Sequence, residues 1–108
     1  MSDLSVEVER AAGTAVVRLN GDLDKITAPL LKQRLIDLAN DGCDTVVVDT
    51  KRLAFCDSSG LWVLLEHQRL VRERGGALRL SGVHGVLRRV LDVTGLIAAF
   101  PIDSQLVE

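Results

Sequence analysis

The chain has 108 residues, 47% of them hydrophobic and 26% charged, which supplies apolar side chain for one packed core and argues against disorder or low complexity. Thirteen basic and fifteen acidic residues leave a formal net charge of -2, and the aromatic residues are Phe55, Trp62 and Phe100. This balance disfavours direct nucleic-acid binding, which draws on a basic excess for phosphates and on aromatic platforms for unpaired bases.

Near the start, Val6 and Val8 alternate with Glu7 and Glu9, and after Gly13 the stretch Thr14 to Leu19 sets Val16, Val17 and Leu19 among polar neighbours. Two strands joined by a turn are predicted. From Ala28 to Asn40, Leu31, Leu35, Leu38 and Ala39 recur at helical spacing, with Thr27 as the expected cap, Pro29 in the first turn and Gly42 as the stop. Thr45 to Asp49, TVVVD, is a short continuous apolar run that predicts a parallel central strand covered on both faces. After a loop, Ser59 to Arg74 predicts a second helix, apolar nearly all round in its first half and polar in EHQRLVRER except at Leu70 and Val71. Gly75 and Gly76 close it. Ala77 to Ser81 predicts a strand, Val86, Leu87, Val90 and Leu91 a helical face ended by Gly95, and Leu96 to Phe100 an edge strand; Pro101 sets off a short acidic tail. Strands alternating with helices after an opening hairpin predict one α/β domain over residues 1–108, a mixed β-sheet flanked by helices.

The longest apolar runs, such as Val46 to Val48 and Leu61 to Leu65, fall far short of the roughly 18 residues that span a bilayer, so membrane insertion is not expected. The first ten residues, MSDLSVEVER, lack the basic start and apolar stretch of a secretion signal, and a cytoplasmic protein is expected. Cys43 and Cys56, thirteen positions apart, show neither zinc-site nor disulfide spacing and are expected to be reduced and structural. His67 and His84 are expected on a solvated helix face and in a loop, and the arginines 69, 72 and 74 on a solvated face with Glu66 and Glu73. The pair Gly75 and Gly76 lacks the spaced glycines of a phosphate loop, so no nucleotide, metal or other cofactor is expected.

The most informative segment is Asp57, Ser58, Ser59 and Gly60, DSSG, between a strand and a helix. At a helix N-terminus, unpaired N–H groups and the positive end of the dipole favour oxygen acceptors and negative charge, including a phosphate carried on serine. Taken alone, Asp57 or Ser58 there is far more often a cap than a regulatory site.

The longer stretch VVVDTKRLAFCDSSGLWVLL resembles the central signature of the STAS family, the domain of bacterial anti-sigma-factor antagonists. The likeness extends over nearly the whole chain through GDLD at Gly21 to Asp24, TAP at Thr27 to Pro29, GGALRL at Gly75 to Leu80 and VLRRVLDVTGL at Val86 to Leu96. The resemblance implies a single STAS-like domain without catalysis of its own, phosphorylated at Ser58 by a partner that is both a serine kinase and an anti-sigma factor. Unphosphorylated, such a domain binds the kinase and frees a sigma factor; the phosphorylated domain is released until a phosphatase removes the phosphate. The resemblance also places Asp24 at the partner surface, although a turn aspartate reads the same way from sequence, and makes Asp57, Ser59 and Gly60 supporting residues. Asp22 is expected to be solvated. The sequence departs from the common pattern at Trp62, where glycine often follows DSSGL, and two roles stand evenly: a partner anchor or a cover for the core. The tail IDSQLVE is shorter than the family's usual final helix.

Two other readings compete. One is a STAS accessory subunit docking on another machine, such as a lipid-transport ATPase complex or a stress-signalling assembly; the acceptor serine in DSSG favours the antagonist instead. The other is a small hydrolase with Ser58 as nucleophile and His84 or His67 as base, disfavoured because DSSG is not the GxSxG elbow.

Overall fold

A computed structural model describes residues 3–103. Its elements are β1 (Leu4–Ala11), β2 (Thr14–Leu23), α1 (Ala28–Asn40), β3 (Thr45–Cys56), α2 (Ser58–Glu73), β4 (Ala77–Ser81), α3 (Gly85–Thr94), a 3-10 turn (Leu96–Ala99) and β5 (Ile102–Asp103). The sheet runs in the order β1-β2-β3-β4-β5, with β1 antiparallel to β2 and every later pair parallel. This is the mixed sheet with helical crossovers that the alternation of elements predicts.

Successive crossovers that step in one direction, each right-handed, leave their helices on one side of a sheet. Burial follows that rule. Ala15, Val17 and Leu19 of β2, Val46 and Val48 of β3, and Leu78 and Leu80 of β4 are buried and join Leu31, Leu35, Leu38, Leu64, Val71, Leu87 and Leu91 of the helices in one core. The alternate positions Arg18, Asn20 and Arg79 are exposed, and Val47 and Asp49 are half-buried. The valine run of β3 is therefore covered on one face and not on two.

β3 also runs beyond the expected strand, to Cys56. Its burial alternates through Thr50 and then recurs every third residue, at Leu53 and Cys56, because its pairing with β2 shifts between Arg18 and Asn20 and again between Gly21 and Asp22. The segment Leu96 to Phe100 is not an edge strand. Gly95 ends α3 in the left-handed region, at φ 75°, and Leu96–Ala99 coils as a 3-10 turn; the edge strand comes after Pro101, whose carbonyl accepts from the Leu80 N–H at 2.9 Å. Of the tail IDSQLVE, residues 104–108 lie outside the described residues.

Gly42 and Gly75 end α1 and α2 as expected, each at positive φ. The following N–H groups, of Cys43 and Gly76, reach back to the carbonyls of Leu38 and Val71 at 2.9 and 2.8 Å, the paired arrangement that satisfies the last carbonyls of a helix. Thr27 does not cap α1. Its hydroxyl turns back, donating to the Asp22 carbonyl at 2.7 Å and accepting from the Asp24 N–H at 2.9 Å. Asp22 is half-buried instead of fully solvated.

His67 and Gln68 overturn the expectation of a solvated second half for α2, since both are buried. Gln68 bridges two elements: its Oε1 accepts from the Leu78 N–H at 2.7 Å and its Nε2 donates to the Ala99 carbonyl at 3.1 Å. Burial, and secondarily the positive charge of Arg74, holds the His67 imidazole below its ordinary pKa of 6.5. In the unfolded chain His67 takes up a proton near pH 6.5, whereas the folded chain resists it to lower pH, so between those points the unfolded state binds more protons. Its contribution to stability is complete above about pH 7 and declines as pH falls toward the folded pKa. Denaturant midpoints measured from pH 7.5 down to 5.5 are expected to fall, with a shallower decline in His67→Gln.

Candidate functional site

β3 brings the chain to Asp57, whose extended backbone (φ -103°, ψ -174°) precedes α2. Its Oδ1 accepts from the Gly60 N–H at 3.1 Å, which closes the first helical turn, and its Oδ2 accepts from the Lys25 N–H at 3.1 Å. The Asp57 N–H in turn donates to the Leu23 carbonyl at 3.1 Å. One side chain thus caps α2 and fastens it to the 24–27 turn.

That turn is shaped by Asp24. Its Oδ1 accepts from the N–H groups of Ile26 and Thr27 at 2.9 and 3.1 Å, an aspartate turn of the kind that reads locally in sequence. The carboxylate is half-buried, and the Lys25 contact sets it beside the start of α2. Asp24 thus forms the turn that the Lys25 N–H ties to the cap of α2.

Ser58 opens α2, is exposed, and its hydroxyl has no hydrogen-bond partner among the described residues. Ser59 is half-buried and Gly60 buried. Trp62, four positions on, returns to the Ser58 face of the helix and is 55% exposed, so it lies at the surface. Six large hydrophobics are exposed among the described residues: Ile26 (73%), Leu30 (39%), Phe55 (42%), Trp62, Val86 and Val93. Sequence reading singled out Trp62 of these. Ile26 carried a signal, as an apolar residue inside a polar turn, while Leu30 and Phe55 merge into apolar runs that read as core.

The cysteines and histidines are inert or occupied elsewhere. Cys43 and Cys56 are buried and free, and the Cys56 thiol is pushed up to about 12, first by burial and then by the charge of Asp57, so it stays protonated. His84 Nε2 lies 2.8 Å from the Lys51 carbonyl and 3.1 Å from that of Thr50, which makes it a donor to the middle of β3. Neither His84 nor the buried His67 hydrogen-bonds Ser58 among the described residues. The base required by the hydrolase reading is not assembled.

A STAS strand-helix junction with an exposed serine is the arrangement the sequence resemblance calls for, and a family profile described as "Mlab, STAS domain" matches residues 6–107. The chain belongs to the STAS domain family. Over 101 residues it is 34% identical to an anti-sigma F factor antagonist of Paenibacillus polymyxa, covering 93% of this chain and 86% of that one. Over 103 residues it is 32% identical to an anti-sigma-B factor antagonist of Bacillus subtilis, covering 95% and 94%. Among solved structures, an anti-sigma factor antagonist from Mycobacterium paratuberculosis superposes with a TM-score of 0.83 at 28% identity, covering 93% of this chain and 85% of that one.

In this STAS domain Gly60 is the point where α2 packs directly on β2. A Cβ there would stand 2.4 Å from Leu23 Cγ and 3.0 Å from the Leu23 carbonyl oxygen, and Leu23 is itself fully buried. Gly60→Ala is therefore expected to cost about 1–3 kcal/mol of stability, the usual range for forcing an extra carbon into a packed core. Denaturant unfolding checks this; an unchanged midpoint would mean that Leu23 yields without strain.

Proposed function

We propose that the whole chain acts as one STAS domain whose function is that of an anti-sigma-factor antagonist in the cytoplasm. Unphosphorylated, it docks through the face around Ser58 on a serine kinase that is also an anti-sigma factor, and so frees a sigma factor. The kinase transfers the γ-phosphoryl group of ATP to Ser58 Oγ, the hydroxyl losing its proton as the new O–P bond forms and ADP leaving as the old one breaks, and docking is lost until a phosphatase hydrolyses the phosphoserine. The chain is a substrate in this scheme and not a catalyst, with no direct contact to nucleic acid, no insertion in a membrane and no cofactor.

The observation that carries this reading is an unpartnered, exposed Ser58 hydroxyl at a helix N-terminus, with the exposed ring of Trp62 one helical turn further on. An exposed tryptophan on the same helix face as a free hydroxyl suits a protein-docking surface. The names of the relatives in Paenibacillus and Bacillus support the same reading. Asp24, Asp57, Ser59, Gly60 and Trp62 share the docking surface with Ser58, Asp57 and Gly60 by holding the helix start in place.

The test is co-purification of the kinase followed by incubation of the chain with that kinase and ATP. One phosphate per chain, mapped to Ser58 and lost in Ser58→Ala, is the expected result. Phosphate found mainly on Ser59 or Thr94 would refute the assignment.

A further inference from the structure

A groove of about 140 Å³ lies between α1 and α2, on a part of the domain that the phosphorylation scheme does not use. Its apolar wall consists of Leu35 and Ile36 from α1 and Val63 and Leu70 from α2. Two exposed residues of opposite charge, Lys32 and Glu66, complete the lining and form no ion pair among the described residues. His67 also contributes to the lining, and it is the buried group here that is left without a partner: it is 5% exposed, and its Nε2 has no hydrogen-bond partner among the described residues.

We propose that this groove binds a small neutral molecule, a single ring or a branched chain of that size, bearing one hydroxyl that hydrogen-bonds to His67. Size points to this class. A cavity of about 150 Å³ lined by aliphatic and aromatic side chains accepts benzene, whereas drug-sized ligands occupy roughly 300–1,000 Å³. Charge points the same way, since a net charge against four apolar side chains forfeits its hydration, and the opposite charges of Lys32 and Glu66 favour neither sign.

The hydroxyl is required by the imidazole. Buried polar atoms are nearly always paired, and an unpaired one marks a place where a partner is missing. Burial keeps His67 neutral near pH 7, so one ring nitrogen donates and the other accepts. A hydroxyl does both and therefore fits whichever nitrogen carries the proton. A hydrocarbon of the same shape would fill the groove and leave Nε2 unpaired. The flexible, exposed side chains of Lys32 and Glu66 are the parts of the lining free to move aside as the hydroxyl reaches the ring.

The test titrates the whole chain with phenol, and with benzene as the hydroxyl-free control, while two-dimensional NMR follows the backbone amides and the His67 ring nitrogens. Saturable shifts centred on Leu35, Ile36, Val63, His67 and Leu70, a shift of the His67 ring nitrogens, and at least tenfold weaker binding of benzene are expected. Ile36→Phe, which fills the groove from its half-buried wall, should abolish the phenol response. His67→Leu should remove the preference for phenol over benzene. No saturable shift with phenol, shifts centred elsewhere, or equal affinities for phenol and benzene in the natural chain would overturn the proposal. The phenol and benzene comparison decides the matter even if His67→Leu does not fold.

Discussion

Ser58→Glu is expected to weaken docking on the kinase by about 2–3 kcal/mol, roughly 30- to 150-fold, whereas Ser58→Ala keeps the affinity of the natural chain. The difference rests on charge. The hydroxyl makes no hydrogen bond within the described chain, so its removal leaves nothing unpaired on this side of the interface. A carboxylate there adds negative charge next to Asp57, and docking must strip water from both. Phosphate, with about 1.5 to 2 negative charges and three acceptor oxygens, should do the same more strongly. The fold need not change, because the first turn of α2 tolerates an anion at its N-terminus and Ser58 is solvent-exposed. Thermal unfolding of both variants is accordingly expected within about 0.5 kcal/mol of the natural chain. Calorimetric titration with the kinase measures the binding arm, and equal affinities for the natural chain and Ser58→Glu would contradict a charge mechanism.

Much of this arrangement is legible in the sequence where one periodicity holds. The hairpin, the first helix over Ala28–Asn40, the strand Ala77–Ser81 and the stop at Gly95 all follow from apolar spacing and punctuation by glycine. Legibility fails where the period changes within one element. β3 alternates in burial to Thr50 and then buries every third residue across the exposed Lys51 and Arg52, so the continuous apolar run that marks the strand ends at Asp49. A related failure hides His67 and Gln68. They stand three and four positions after Leu64, and Val71 follows at seven, so the core stripe of α2 passes straight through two polar residues. Spacing carried the signal, and side-chain polarity masked it.

The site itself was partly legible for a different reason. Asp57 and Asp24 act on N–H groups within three residues of themselves, and such local capping is written in short motifs. The contact that unites them, Lys25 N–H to Asp57 Oδ2, joins positions 32 residues apart and depends on β2 and β3 lying side by side. No motif encodes that closure.

Trp62→Ala separates the docking role from a structural one. A side chain 55% exposed has little burial to lose, so truncation is expected to change folding stability by less than about 1 kcal/mol. A buried tryptophan would instead cost roughly 3–5 kcal/mol. At an interface the same ring is a typical anchor, and its truncation is expected to weaken kinase binding by about 2 kcal/mol or more, close to 30-fold. Trp62 is the single tryptophan of the chain, so its fluorescence reports on its own surroundings. Emission should move to shorter wavelength as the kinase covers the ring, and should stay unchanged with chain phosphorylated at Ser58, which no longer docks. Thermal unfolding and calorimetric titration of Trp62→Ala complete the test: a large stability loss with unchanged affinity for the folded fraction would make Trp62 a core residue, and a large affinity loss in a stable fold would make it the anchor beside Ser58.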